Sequence, residues 1–495
     1  MITVHDLMRE SGVAFGTSGA RGEVTAMTDR VCYGYTRGFL AYMAEQGDFS
    51  QAMRVALAGD LRPSTPRILS ACAKAISDSG GVAEFCGFVP TPALALHAFA
   101  EKIPSLMVTG SHIPADRNGI KFYRPGGELL KSDEPGMSRQ SLDLGSDKFD
   151  ASGALVSAEP LPAVTDVETA YRRRYIDHFG AGSLAGKRIG VYQHSAVGRD
   201  LLADILRELG AEIALLGRSD VFIPVDTEAI RPEDIRLAQE WAAEGGFDAI
   251  VSTDGDSDRP LLSDEAGNWL RGDVLGILCA ARVGATSVVT PVSSSTALER
   301  DGRFPRCRRT RIGSPYVIAG MTEELAAGSE VVCGFEANGG FLLGSDISGA
   351  NGTTSALPTR DALLPILAVL TAGGQSVSAQ TAALPQRFTF SDRISPFPAA
   401  KSQWVFEQLL DGDDTAKLAL QTRLFGEFAG PAQTVDLTDG VRTQFAGGTI
   451  IHIRGSGNAP ELRCYTEAAS VAVAEEANHK ALNVIRAMTG VTKQL

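Results

Sequence analysis

Residues 188–216 read Arg-Ile-Gly-Val-Tyr-Gln-His-Ser-Ala-Val-Gly-Arg-Asp-Leu-Leu-Ala-Asp-Ile-Leu-Arg-Glu-Leu-Gly-Ala-Glu-Ile-Ala-Leu-Leu. The runs at 188–192 and 212–216 are short and apolar, as buried strands are. Between them Leu201, Leu202, Ile205, Leu206 and Leu209 recur at helical spacing. A helix is therefore predicted near 200–209, with Asp200 placed to cap its start and Gly210 to end it. The same order recurs upstream, where residues 54–60 (Arg-Val-Ala-Leu-Ala-Gly-Asp) lead to a helix near 64–79, Gly80-Gly81 and a strand at 82–88. A third run, Ser287-Val288-Val289-Thr290, opens into Ser293-Ser294-Ser295 and another helical stretch. This alternation predicts α/β domains with largely parallel sheets, which bind ligands at the carboxyl ends of their strands.

At 495 residues the chain exceeds a single core and divides into roughly three or four domains. Residues 131–165, rich in Ser, Asp, Gly and Pro, read as a weakly ordered connection, and a second break falls near 371–386. Beyond it Gly440, Gly447-Gly448 and Thr449-Ile450-Ile451-His452-Ile453 change the pattern to strand-turn-strand, predicting a smaller C-terminal α+β domain. A net charge of −13 disfavours nucleic acid and anionic membranes as partners. No run approaches the roughly 18 apolar residues of a membrane span, and the N-terminus lacks the regions of a signal peptide. Seven scattered cysteines without a Cys-x-x-Cys pair predict reduced thiols in a cytoplasmic setting, with neither a zinc site nor a disulfide framework.

The richest chemistry lies at 109–123, Thr-Gly-Ser-His-Ile-Pro-Ala-Asp-Arg-Asn-Gly-Ile-Lys-Phe-Tyr. Ser111 follows the apolar Leu106-Met107-Val108, where a buried strand surfaces into a loop. Gly110 and Gly119 permit close backbone approach, Pro114 stiffens the turn, and His112 and Lys121 bring proton-transfer and phosphate-neutralising groups to one hydroxyl. A serine needs a base, a metal or a transferable group to act. The Gly-x-Ser-x-Gly elbow of a hydrolase is missing.

Asp254-Gly255-Asp256-Ser257-Asp258-Arg259 supplies a second signal. Three alternating carboxylates repel by about 4 kcal/mol per pair at about 4 Å and an effective dielectric near 20. A hard divalent cation reverses that penalty. Glu265 completes the outline of an EF-hand loop, but Arg259 stands where that loop needs Gly, and a strand precedes it. Arg454-Gly455-Ser456-Gly457-Asn458-Ala459-Pro460-Glu461-Leu462-Arg463 offers an amide nest with Arg at both ends, suited to phosphate. Gly334-Phe335-Glu336-Ala337-Asn338-Gly339-Gly340 sets a carboxylate and an amide on a glycine loop, suited to sugar hydroxyls. Phe15-Gly16-Thr17-Ser18-Gly19-Ala20-Arg21-Gly22 is a further small-residue turn carrying an Arg, without the Gly-Lys-[Ser/Thr] of a P-loop.

Taken in this order, the motifs closely resemble those of the α-D-phosphohexomutase superfamily, in particular its bacterial phosphomannomutase/phosphoglucomutase enzymes, from Phe15–Gly22 to Arg454–Arg463. The resemblance implies four domains around one cleft, three related α/β domains with mixed or parallel sheets and a C-terminal α+β domain. The expected boundaries are 1–158, 159–270, 271–384 and 385–495. It implies that Ser111 is the phosphorylated serine, that Asp254, Asp256 and Asp258 hold one Mg²⁺, and that an oxygen of phospho-Ser111 completes the metal's protein ligands. It also implies that Lys121 is the general acid/base, that His112 flanks the reacting centre, and that Arg21 and Arg259 steady the transferring phosphate. Glu336 and Asn338 fall in the sugar loop, and Arg454, Ser456, Gly457, Asn458 and Arg463 in the loop gripping the other phosphate.

The implied reaction interconverts hexose 1- and 6-phosphates of mannose, glucose or both, through phospho-Ser111 and a hexose 1,6-bisphosphate intermediate and activator. The implied assembly is a monomer or homodimer. Family sugar loops often read Gly-Glu-x-Ser-Gly-His, whereas here Phe335 precedes the Glu, Asn338 replaces the Ser and Gly340 replaces the His. Asn458 stands where Thr is common. These departures bear on the sugar and not on the reaction. Phosphoglucosamine mutase is the enzymatic alternative, with a phosphatase or a non-catalytic sugar-phosphate-binding regulator as further readings.

Overall fold

The structure is a computed structural model that describes residues 1–16, 18–145, 147–456 and 460–490. It divides into two units, Met1–Val288 with Gly313–Thr381, and Val289–Ile312 with Ala382–Leu495.

The first unit opens with a mixed sheet ordered Ala14–Phe15, Ala20–Glu23, Arg117–Arg124, Ser105–Val108, Arg54–Gly59 and Val82–Phe85. Arg54–Gly59 runs parallel to both Val82–Phe85 and Ser105–Val108, while Arg117–Arg124 returns antiparallel to Ser105–Val108 with Met107 opposite Lys121. A second sheet orders Glu212–Arg218, Arg188–His194, Ala249–Thr253 and Pro260–Leu262, the last pair again antiparallel. The sheets are thus less parallel than the alternation predicts. Loops 109–116 and 254–259 are too short for the dozen or more residues of a parallel crossover, so the chain can only turn back on itself. Both chemistry-bearing loops are such reversals. Strands Val332–Phe335, Phe341–Leu343 and Leu357–Asp361 form a third, antiparallel array.

The predicted helices form at Thr65–Asp78 and Arg199–Glu208. The second starts one residue before Asp200, with Gly198 at its N-cap, so Asp200 is not the cap. Its carboxylate instead takes bonds from Arg218 (2.6 Å) and Gln193 (2.9 Å). Lys121 also departs from expectation, because it lies on a strand and not in the loop.

The described part of 131–165 is more ordered than its composition predicts. Helix Glu134–Ser138 is followed by Ser141–Leu142, which pairs with Ile2–Thr3. Asp150 Oδ1 accepts from Ser152 N (2.8 Å), Ser152 Oγ (2.6 Å) and Ala154 N (3.1 Å). Its polar residues satisfy local turns rather than leaving the chain loose. Tyr33, Phe39, Leu57, Leu69, Leu106 and Phe122 belong to the core beneath the first sheet.

The second unit contains an antiparallel sheet ordered Phe388–Ile394, Leu462–Ala468, Ile450–Gly455, Val441–Phe445 and Ala432–Asp436. Helices Ala399–Leu409, Asp414–Ala429 and Val471–Thr489 enclose a core including Phe397, Val405, Phe425, Phe445, Leu462 and Leu482. None of the seven cysteines is disulfide-bonded, and no described helix is long and apolar enough to cross a membrane.

Candidate active site

Strand Ser105–Val108 delivers Ser111 to the carboxyl end of the first sheet, fully buried and in the left-handed region with φ +56°. A non-glycine residue there is sterically costly and must be held by its surroundings. Arg62 does much of the holding. Its Nη2 donates to the carbonyls of Ser111 (2.9 Å) and Ile113 (2.6 Å), and its Nη1 to those of Pro114 (2.7 Å) and Arg117 (2.9 Å). Nε pairs with Asp60 Oδ2 at 3.0 Å, and the guanidinium lies 4.1 Å over the Phe222 ring. Asp60 also accepts from Thr109 Oγ1 (2.8 Å) and Thr65 Oγ1 (2.8 Å). Ser111 N in turn donates to Thr109 Oγ1 at 2.7 Å. Gly110 lies so close to this clamp that an added Cβ would sit 2.5 Å from Arg62 Cζ.

Ser111 Oγ donates to Asp254 Oδ2 at 2.6 Å. Asp254, Asp256 and Asp258 are buried on the reversal between Ala249–Thr253 and Pro260–Leu262, with one oxygen from each within 4.8 Å of the others. Asp254 Oδ1 accepts from the amides of Asp258 and Arg259 (both 3.2 Å). Asp256 Oδ2 accepts from Thr91 Oγ1 and Lys121 Nζ (both 2.6 Å), and Lys121 Nζ also bonds Asp258 Oδ2. Asp256 Oδ1 and Asp258 Oδ1 are buried and have no hydrogen-bond partner. Burial, with the charges of Asp256 and Asp258, pushes the Asp254 carboxyl well above the usual range. Burial acts on Asp256 and Asp258 too, but the Lys121 ammonium holds both below it. Three buried carboxylates converging, two of them with an oxygen that has no donor, fit a hard divalent cation. The EF-hand outline is empty of meaning here, since Glu265 accepts from Val377 N (2.6 Å) instead.

Arg259 and His112 border this cluster. Arg259 Nη1 lies 2.9 Å from His112 Nδ1, which is also 3.3 Å from Ser111 Oγ, and His112 Nε2 is 3.9 Å from Asp226. Burial and the Arg259 charge pull the His112 imidazole down to about 3. A neutral imidazole accepting from Arg259 at Nδ1 has that lone pair spent, so it is a poor base toward Ser111. Arg259 Nε is buried without a hydrogen-bond partner, at 3.9 Å from Asp254 and 3.7 Å from Asp258. Arg21, on strand Ala20–Glu23, is lowered to about 10 by burial and by the charges of Arg259 and Arg360. Cations drawn together against their own repulsion mark a place where anions are received.

Glu336 and Asn338 sit buried between Val332–Phe335 and Phe341–Leu343. Asn338 Oδ1 accepts from Gly340 N (3.0 Å) and its carbonyl from Thr227 Oγ1 (2.7 Å), so part of that residue shapes the turn. Glu336 Oε2 pairs with Arg360 at 3.4 Å, and Arg360 Nε reaches Asp258 Oδ2 at 3.1 Å. Asp60, Arg62, Thr91 and Arg360 escape sequence reasoning, since none lies in a chemistry-bearing motif and each reaches the site through residues distant in the chain.

In the second unit, Arg454 is next to last on strand Ile450–Gly455 and pairs with Asp439 at 2.9 Å. It stands directly opposite Arg463, which stands opposite Arg393. Arg393 and Arg463 both lie 3.3 Å from Glu461. Like charges aligned across strands are destabilising, which suits a site that receives an anion. Ser456 N donates to the Glu461 carbonyl at 2.9 Å. Gly457 and Asn458 lie outside the described residues.

Comparison with known proteins places the chain in a family. Three family models match: phosphoglucomutase/phosphomannomutase alpha/beta/alpha domain I at residues 12–141, domain II at 173–267 and domain III at 271–388. A phosphomannomutase of Salmonella muenchen is 44% identical over 468 residues, 94% of each chain. One of Sinorhizobium fredii is 43% identical over 483 residues, 96% of this chain and 99% of its own. Among solved structures, a phosphoglucomutase/phosphomannomutase family protein of Burkholderia thailandensis matches with TM-score 0.71 at 18% identity, covering 95% of this chain and 97% of its own. By its sequence matches over most of its length, the chain belongs to the phosphoglucomutase/phosphomannomutase family.

Proposed function

We propose that this protein is a phosphohexomutase that interconverts hexose 1-phosphate and hexose 6-phosphate, with mannose as its principal sugar. The observation that carries the reading is the buried Ser111 Oγ, 2.6 Å from Asp254 in a triad whose other two members, Asp256 and Asp258, each keep an oxygen without a donor. The 43–44% identity to two phosphomannomutases supports mannose, with phosphoglucosamine mutases at 26–30% more distant.

Mg²⁺, held by Asp254, Asp256, Asp258 and a phosphoryl oxygen on Ser111, would supply charge neutralisation. Phosphoryl transfer otherwise asks for in-line positioning more than covalent chemistry. As the bond from Ser111 Oγ to phosphorus breaks, a sugar hydroxyl oxygen forms the new one and its proton leaves by way of Lys121 Nζ, the general acid/base. Arg21 and Arg259 steady the moving phosphoryl oxygens, and His112 positions Arg259. Glu336 and Asn338 bind sugar hydroxyls. Arg454, Ser456, Gly457, Asn458 and Arg463 hold the phosphate that stays. The bisphosphate formed then reorients, and its other phosphate returns to Ser111. The four domains at 1–158, 159–270, 271–384 and 385–495 each supply one of these loops, and the enzyme works in the cytoplasm on small sugar phosphates.

A coupled assay on mannose 1-phosphate and glucose 1-phosphate, with free phosphate followed in parallel, tests this. Turnover of mannose 1-phosphate that collapses in Ser111→Ala while mannose 6-phosphate still binds is the expected result. Undiminished turnover in Ser111→Ala refutes the carrier role, and stoichiometric phosphate release makes the protein a phosphatase.

A further inference from the structure

Arg360 lies on strand Leu357–Asp361, 2% exposed, in the midst of the site yet outside every motif. Its Nε bonds Asp258 Oδ2 at 3.1 Å. Nη1 bonds Ser314 Oγ at 2.8 Å and Glu336 Oε2 at 3.4 Å, and Nη2 bonds Ser18 Oγ at 3.3 Å. One buried cation therefore joins a carboxylate of the metal loop to the carboxylate of the sugar loop. Its surroundings hold it there. Ser314 Oγ donates on to Glu128 Oε2 (3.0 Å), and Thr359 Oγ1 donates to Glu128 Oε1 (2.8 Å). The next residue, Asp361, accepts from Tyr171 (2.7 Å) and Tyr175, which pins the end of the strand.

The side chain also explains a glycine. An added Cβ on Gly340 would lie 2.6 Å from Arg360 Cδ and 2.7 Å from its Cγ. These stem atoms belong to a guanidinium fixed by four partners, so they have little room to yield. The volume that a side chain would need at Gly340 is thus filled from another strand.

We infer that Arg360 is a positioning residue that sets the Glu336 carboxylate for the sugar hydroxyls and locks it to the Asp258 loop, and that Gly340 is glycine to admit its stem. The inference rests on the phosphohexomutase reading for what Glu336 binds. A carboxylate fixed by a charge-assisted bond is pre-oriented for hydroxyl donors. Losing the bond frees Glu336 to rotate and leaves it buried without its cation.

The experiment measures Kd for mannose 6-phosphate by calorimetry, and KM and kcat for mannose 1-phosphate, in the parent, Gly340→Ala, Arg360→Ala, Arg360→Lys and the double variant Gly340→Ala/Arg360→Ala. Gly340→Ala and Arg360→Ala should each raise Kd and KM by about ten-fold or more, with kcat falling less. Arg360→Lys should recover part of the loss. In the Arg360→Ala background Gly340→Ala should add less than about two-fold, because contacting residues are coupled. An unchanged Kd in Gly340→Ala overturns the inference, as do fully additive effects. If Arg360→Ala yields no folded protein, the Kd of Gly340→Ala alone decides. A parent that binds mannose 6-phosphate but turns over no mannose 1-phosphate defeats the mutase reading instead, and the calorimetric comparison still judges Arg360.

Discussion

Replacing Arg62 by Met removes the clamp on the Ser111 loop at nearly constant volume. Its guanidinium uses all five N–H groups, one on Asp60 and four on backbone carbonyls. Breaking a buried ion pair by removing one partner costs about 3–5 kcal/mol, because the other charge stays buried and alone. The carbonyls add unequally. Pro114 and Arg117 are exposed, and their carbonyls can turn to water. The Ser111 carbonyl is buried and cannot, at about 1–3 kcal/mol for the lost donor. The sum is about 4–8 kcal/mol, with about 5 as the working value, concentrated in residues 105–124. A multidomain chain need not unfold in one step, so the assay is hydrogen exchange on peptides across this segment. A loss of about 5 kcal/mol corresponds to exchange faster by between about three and four decades. The double variant Asp60→Asn/Arg62→Met should recover about 2 kcal/mol or more, since no bare charge remains. Exchange in Arg62→Met within about ten-fold of the parent would refute the clamp.

Three further outcomes are expected. Thr91→Val removes one of the two donors to Asp256 Oδ2, leaving Lys121 Nζ. It should raise the half-saturating Mg²⁺ concentration by about ten-fold, as outer partners of metal ligands do, measured by magnesium titration of turnover after EDTA treatment; unchanged magnesium demand counts against the triad as the metal site. His194 and His452 are buried and pulled down to about 4, chiefly by burial. The unfolded imidazole titrates near 6.5, so between about pH 6.5 and 4 the unfolded chain binds protons that the folded chain refuses. Stability should therefore be retained above about pH 6.5 and fall by about 3 kcal/mol per histidine toward pH 4. His452→Gln should flatten the pH dependence of urea unfolding, and an unchanged slope would contradict this. Arg454→Ala should raise KM for hexose 1-phosphate by about ten- to a hundred-fold while sparing kcat, the reach of one charged hydrogen bond.

Sequence pattern carries the α/β class because strand and helix periods differ, as at 188–216, where strand, helix and strand all form. It carries Ser111, Lys121 and the alternating aspartates because each belongs to a compact motif, and the fold brings them within bonding reach. The direction of the returning strands is less legible. It follows from loop length against crossover length, and not from any residue type. Least legible are Arg62, Thr91 and Arg360, whose partners are 49, 165 and 102 positions away in the chain. Gly340 shows the same blindness from the other side: its want of a side chain is visible, but the arginine stem responsible arrives from a later strand. Asn338 reads as a ligand for sugar, yet its Oδ1 is engaged by its own turn.

Arg62 grips its loop through the peptide carbonyls of Ser111, Ile113, Pro114 and Arg117, with no hydrogen bond to a side chain of residues 111–117. Peptide carbonyls are common to all twenty amino acids. Substitutions at Ile113 or Arg117 that preserve the backbone path thus leave the grip intact, and the loop is free to drift in letters while fixed in shape. Asp60 and Arg62 have no such latitude. Among relatives with diverged loops, these two inconspicuous residues should mark a competent serine more faithfully than the letters that surround it.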